Sequence, residues 1–180
     1  MEKKYRLSES YIVMNGVRLY RIIATKDFGR IKEGSIGGYV ESEYNLSHSN
    51  DCWIYDKSKV YGDARVIDNA KVFEKAEISG QTTIGGYSNV SGETTKIRSG
   101  ALIYGNARIK RTTDYICFND LGALDGMITF CKSFDNDILV KSQWFEGNLA
   151  SFKKYIATTY SGKYKSCYYK AIKLVKVYLK

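Results

Sequence analysis

One histidine, four cysteines and a crowd of lysines and tyrosines are the side chains of this 180-residue sequence that could do chemistry. Histidine is the residue best suited to move protons near neutral pH, and His48 is the only one. It lies in Asn45-Leu46-Ser47-His48-Ser49-Asn50, with no obvious orienting carboxylate in register, so it reads first as a polar corner residue and second as a general base. Cys52, Cys117, Cys131 and Cys167 are widely spaced, form no Cys-x-x-Cys pair and have only His48 to help hold a metal. They read as reduced, mostly buried thiols, which points to a cytoplasmic setting and to no disulfide, zinc or cysteine-nucleophile role. Gly37-Gly38 and Gly85-Gly86 match neither Gly-x-x-x-x-Gly-Lys nor Gly-x-Gly-x-x-Gly and read as corner turns. Asp56, Asp63, Asp68, Glu74 and Glu77 stand among Lys57, Lys59, Arg65, Lys71 and Lys75, the pattern of a solvated mixed-charge face and not of a calcium ladder. The expectation is a chain without a cofactor.

The charge is distributed more tellingly than its sum of +9. Residues 1–146 hold 20 Lys and Arg against 19 Asp and Glu, whereas residues 147–180 hold Lys153, Lys154, Lys163, Lys165, Lys170, Lys173, Lys176 and Lys180 and no acid. Lysines neutralise phosphates with release of counterions, and rings such as Tyr169 among them can pack on sugars or bases. The stretch is therefore the candidate surface for nucleic acid, against the plainer reading of a solvated helix face. Lysine in place of arginine argues against base reading, so binding to duplex DNA would be nonspecific and steeply salt-dependent.

These side chains need a scaffold, and the chain can build one. It is 44% hydrophobic and 26% charged with no proline, the profile of a continuously folded domain with or without a cap. Residues 1–10 lack a signal-peptide core, and no window approaches the 18 apolar residues of a membrane span.

A fixed period dominates the middle of the chain. Ile54, Val60, Val66, Val72, Ile78, Ile84 and Val90 follow one another at intervals of six, and after a one-residue slip near Thr94–Lys96 the series resumes at Ile97, Ile103 and Ile109. Small residues recur four positions after the aliphatics, at Ser58, Ala64, Ala70, Ala76, Thr82 and Ser88. A third column, Asp56, Gly62, Asp68, Glu74, Gly80, Gly86 and Gly92, supplies turn formers. Short strands with one inward aliphatic, one inward small residue and a turn at each corner satisfy all three columns. Three such sides make one triangular coil.

The stretch from Ile54 to Ile109 resembles the hexapeptide-repeat, left-handed parallel β-helix family. That resemblance implies a mainly β fold of about three coils at residues 51–112. Residues 1–50 form an N-terminal hairpin cap, with Tyr11–Val13 and Val17–Ile23 pairing across Asn15-Gly16. The N-terminal block, from Tyr5-Arg6-Leu7-Ser8 through Cys52-Trp53-Ile54-Tyr55-Asp56, resembles the leader of phage and bacterial hexapeptide-repeat proteins. Residues 113–180 read as a small α+β module. Tyr115–Phe118, Met127–Lys132 and Asp137–Lys141 are its strands, with turns at Asp125-Gly126 and Asp135-Asn136. Asn148 caps a helix from Leu149 to about Tyr160, Ser161-Gly162 ends it, and a last helix near Tyr164–Leu179 buries Tyr168, Ala171, Ile172, Val175 and Leu179. This module resembles one found in phage and mobile-element proteins.

Three functions compete at this point. The leading expectation is a non-enzymatic, phage-type binding protein that engages nucleic acid or a defence nucleoprotein such as a CRISPR nuclease, in the host cytoplasm. The family resemblance implies the alternative, a coenzyme A-dependent acyltransferase using His48 as base. The third is a structural or assembly protein, acting as a homo-dimer or homo-trimer.

Overall fold

A computed structural model of the chain describes residues 2–123 and 126–180. Strand β1 (Tyr5–Met14) pairs antiparallel with β2 (Val17–Ala24) in a register that sets Met14 opposite Val17. The two-residue turn between them has Asn15 and Gly16 at φ 51° and 79°, the left-handed geometry that Asn-Gly favours. Strand β3 (Ile36–Val40) then pairs antiparallel with β2 on one side and parallel with β5 on the other.

Ten two-residue strands follow at the aliphatic positions. They are β4 (Trp53–Ile54), β5 (Lys59–Val60), β6 (Arg65–Val66), β7 (Lys71–Val72), β8 (Glu77–Ile78), β9 (Thr83–Ile84), β10 (Asn89–Val90), β11 (Lys96–Ile97), β12 (Leu102–Ile103) and β13 (Arg108–Ile109). Each pairs in parallel with the strand three further on, giving three faces ordered β4-β7-β10-β13, β3-β5-β8-β11 and β6-β9-β12. Every aliphatic of the six-residue series from Ile54 to Ile109 is fully buried, and so are Ser58, Ala64, Ala70, Ala76, Thr82 and Ser88. Each such aliphatic contributes about 1.5–3 kcal/mol by leaving water.

The corners carry the third column. Asp56, Gly62, Asp68, Glu74, Gly80, Gly86 and Gly92 all have positive φ, and Ser99 and Gly105 continue the series after the slip. Asp56 and Asp68 also accept the backbone N–H of the corner residue one coil above, Glu74 at 3.0 Å and Gly86 at 2.9 Å. Corner acids thus satisfy amides that the two-residue ladders leave out.

Two expectations are corrected here. The prism has about four turns, not three, because β3 and an isolated bridge from Leu46 to Val66 form a further turn at its start. The step from Leu46 to Ile54 is eight residues, which hides that turn from a search at six. Gly37 and Gly38 are not a corner turn but lie within β3. A side chain at either would stand within 2.6 Å of a backbone oxygen, of Ile54 or Ser58, so glycine is there for close approach.

The remaining chain forms an antiparallel sheet, β14 (Tyr115–Asn119), β15 (Met127–Lys132), β16 (Ile138–Lys141) and β17 (Glu146–Asn148), covered by α1 (Leu149–Thr159) and α2 (Gly162–Tyr178). Strand β17 adds a fourth member to the three expected strands; at three residues with a central Gly147 it has no apolar alternation to reveal it. The Asn148 side chain accepts the Ser151 N–H at 2.9 Å as the cap of α1. Tyr168, Ala171, Ile172, Val175 and Leu179 are buried as their spacing predicts, against Phe130, Phe152 and Ile156. Asn136 turns at φ 58°, whereas Asp125 of the expected Asp125-Gly126 turn lies outside the described residues. The module closes the prism: Ala107 bridges Ser133, Thr129 Oγ1 accepts the Leu102 N–H at 2.9 Å, and Cys131 packs in the prism core.

Candidate functional site

His48 sits at the cap end, where the start of β1 crosses the first turn. Its ring stacks on Tyr5 with centroids 4.3 Å apart, and its Nδ1 accepts the Lys4 backbone N–H at 3.3 Å. That bond places the proton of the neutral ring on Nε2, which lies 3.8 Å from the Glu43 carboxylate, beyond hydrogen-bond range. Burial lowers the histidine pKa below its usual value; the Glu43 carboxylate pulls it up, and Lys3 and Lys4 push it further down. Glu43 itself is held below the ordinary carboxylate range by a hydrogen bond from Lys3. His48, read from the sequence as a polar corner residue, is a half-buried imidazole with a lowered pKa and the Glu43 carboxylate beside it.

Sequence reasoning missed its neighbour, Lys4, which is 1% exposed. The Lys4 ammonium donates to the carbonyls of Ser49, Asn50 and Cys52 at 3.3, 2.9 and 3.0 Å, meets Cys52 Sγ at 3.3 Å and lies over the Phe28 ring. Burial lowers its pKa. A lysine in a polar N-terminal run carries no sign of this fate.

The four cysteines are free, with Cys52 and Cys131 buried and Cys117 and Cys167 half-buried. Burial raises the thiol pKa of Cys52 and Cys117 and pushes that of Cys131 up to about 12, so none of these three is a ready nucleophile. Among the described residues no three His, Cys, Asp or Glu side chains converge as metal ligands. A cavity of about 290 Å³ opens between the last coil and the sheet, lined by Tyr104, Cys131, Leu139, Lys141, Glu146 and Ser151. Lys141 spans it, 4.7 Å from the centre of the Tyr104 ring and 2.7 Å from Glu146.

The basic residues fall into groups. Lys165, Tyr169, Lys173, Lys176 and Lys180 follow one side of α2 at helical spacing, with Lys163 and Lys170 round from them. On α1, Lys154 is exposed and Lys153 half-exposed. Lys153 lies against Lys176, whose neighbouring ammonium holds the Lys153 pKa down. Two cations are thus brought together. Lys165 is instead engaged, donating to the Ala157 carbonyl at 3.1 Å, and Lys163 lies over the Tyr164 ring.

Among the described residues no helix is long and apolar enough to cross a membrane. No family model matches it. A 66-residue stretch is 35% identical to the protein named Uncharacterized acetyltransferase YdcK of Escherichia coli (strain K12), over 32% of this chain. The chain spans 20% of the length of that relative. The likeness, together with the six-residue repeat and the parallel coils, fits a hexapeptide-repeat β-helix.

Proposed function

We propose that the chain is a coenzyme A-dependent acyltransferase of the hexapeptide-repeat type. The observation that supports it is the 35% identity, over 66 residues, to a protein named an acetyltransferase, in a chain folded as parallel hexapeptide coils. Acyl transfer to a hydroxyl or amine needs a base that is neutral in the resting enzyme and can accept a proton. His48 meets the first condition through its lowered pKa. To meet the second it must release the Lys4 N–H and exchange its ring proton, so that Nε2 gains a lone pair while Glu43 stabilises the imidazolium that forms. The start of β1 is then the element that must give way. Acetyl-coenzyme A should raise the thermal unfolding midpoint, and His48→Ala should abolish thiol release to an added acceptor without abolishing that rise. Absence of any coenzyme effect ends this reading; turnover unchanged in His48→Ala ends the role of His48.

A second reading rests on the charge: the basic helices bind nucleic acid, alone or within a defence nucleoprotein. The eight lysines of residues 147–180, with no acid among them, favour it. Anisotropy of a labelled 20-base-pair duplex at about 50 and about 200 mM salt tests it, with binding expected to weaken by orders of magnitude. No binding at either salt removes it.

A further inference from the structure

At the end of the prism, three segments far apart in sequence enclose one basic groove. Arg108, Lys110 and Arg111 come from the last coil, Lys132 from the end of β15, Lys176 from the last turn of α2 and Lys180 from just beyond that helix. Two depressions, lined by the first four residues and by the last three respectively, share Lys132 and Asn136 and so lie side by side. The carboxylates present are largely occupied. Asp114 is buried and pairs with Arg111 at 3.1 Å and Lys132 at 3.3 Å, and it also accepts the backbone N–H groups of Lys110 and Arg111 at 3.0 Å. Asp135 accepts from Asn106 at 2.7 Å, and Asp137, on the rim, accepts the Ile138 N–H at 2.7 Å.

The wall between β15 and β16 is a rigid turn. Ser133 Oγ accepts the N–H groups of Asp135 and Asp137, and the Phe134 N–H donates to the Asn106 carbonyl at 3.1 Å. This turn holds the Phe134 ring 41% exposed, with the Arg108 guanidinium 5.3 Å from its centre. The ring stands next to Ser133 of the wall with Arg108 over one face, and a part-exposed ring beside a line of cations suits a strand whose bases are unstacked and whose phosphates follow the groove. A duplex keeps its base faces covered and has nothing to offer that ring.

We propose that this groove binds single-stranded nucleic acid, with Phe134 stacking on a base and Arg108, Lys110, Lys132 and Lys176 following the phosphates. The proposal deepens the nucleic-acid reading above and rests on it. It differs in placing the contact where the module meets the last coil, with Lys176 as the one contact taken from the side of α2.

The test is anisotropy of labelled 20-mer oligothymidylate, oligouridylate and a 20-base-pair duplex at about 50 mM salt. Wild type is compared with Phe134→Ala, with Arg108→Glu/Lys110→Glu, and with Lys163→Glu/Lys170→Glu on α2 away from the groove. Expected are tighter binding of single strands than of duplex, and roughly a five- to hundredfold loss of single-strand affinity in Phe134→Ala. The Arg108/Lys110 variant should lose more, and the Lys163/Lys170 variant little. The oligouridylate and oligothymidylate arms decide between RNA and DNA as the better ligand. Unchanged single-strand binding in Phe134→Ala overturns the proposal, as does a loss confined to the Lys163/Lys170 variant, which would leave the broader nucleic-acid reading standing. No binding of any oligonucleotide ends both. Circular dichroism of each variant separates lost contact from lost fold.

Discussion

The carboxylate of Asp68 accepts the backbone N–H of Gly86, eighteen residues on and one coil higher, at 2.9 Å. Asp68 pays for this position with a left-handed φ of 57°, which an L residue adopts at a cost of about 1–3 kcal/mol. A charge-assisted hydrogen bond returns about 1.5–3 kcal/mol. Asp68→Ala keeps the strain and loses the bond, so it should destabilise the chain by about 1.5–3 kcal/mol in urea unfolding. Asp68→Asn keeps an acceptor oxygen and should cost less. Equal losses in the two variants would remove the hydrogen bond from the account.

Lys4 should be as important to the cap as an apolar core residue. Replacing it with Met preserves much of its bulk and leaves the carbonyls of Ser49, Asn50 and Cys52 without their shared donor. A loss of about 2–3 kcal/mol is expected, measured as a lower thermal midpoint. A midpoint unchanged in Lys4→Met would show that water replaces the ammonium.

With one histidine in the chain, proton NMR can follow His48 without assignment. Its titration should fall below the ordinary value of 6.5, with the neutral ring protonated on Nε2. The unfolded chain then binds a proton before the folded one does. Stability should decline as pH drops from 6.5 toward the folded pKa, and His48→Gln should flatten that part of the curve. A midpoint at or above 6.5 contradicts the geometry.

Asp114 governs the acid limb. Burial alone would raise its pKa, but the Lys110 N–H, Arg111 and Lys132 outweigh it and hold the carboxyl below 3.8. A depressed carboxylate contributes stability that is complete above the unfolded value and lost as pH falls through the folded one. Unfolding near pH 3 should therefore be steeper in wild type than in Asp114→Asn. Identical acid limbs would exclude Asp114 as the titrating group.

Glycine substitutions should separate crowding from backbone strain. At Gly37 a new Cβ would stand 2.5 Å from Ile22 and 2.6 Å from the Ile54 carbonyl oxygen, so Gly37→Ala should cost about 3 kcal/mol or more. Gly16, at φ 79° with nothing within 4 Å, has only strain to lose, about 1 kcal/mol. Similar losses in guanidinium unfolding would refute the distinction.

The coils were legible because one small unit is repeated: Val60, Val66 and Val72 each report the same inward direction, and each error is checked by the next position. The turn begun by β3 escaped because the stretch between Leu46 and Ile54 holds two residues more than the repeat allows. The stack of His48 on Tyr5 and the burial of Lys4 join residues over 40 positions apart, and no local pattern encodes them. The lysines of α2 could be counted in the sequence. That Lys132, which shares a depression with Lys176 and Lys180, also shares one with Arg108 depends on how the module docks on the last coil.

The regularity of that docking platform makes the prism a ruler. Gly62 and Gly80 occupy the same corner one coil apart, with φ of 64° and 67°. Excising residues 62–79 would join like to like and draw the groove toward the hairpin by about 4.8 Å with its orientation kept. Excising six residues would instead rotate the module onto another face. Reach and bearing are thus set independently, one by whole coils and the other by thirds of a coil.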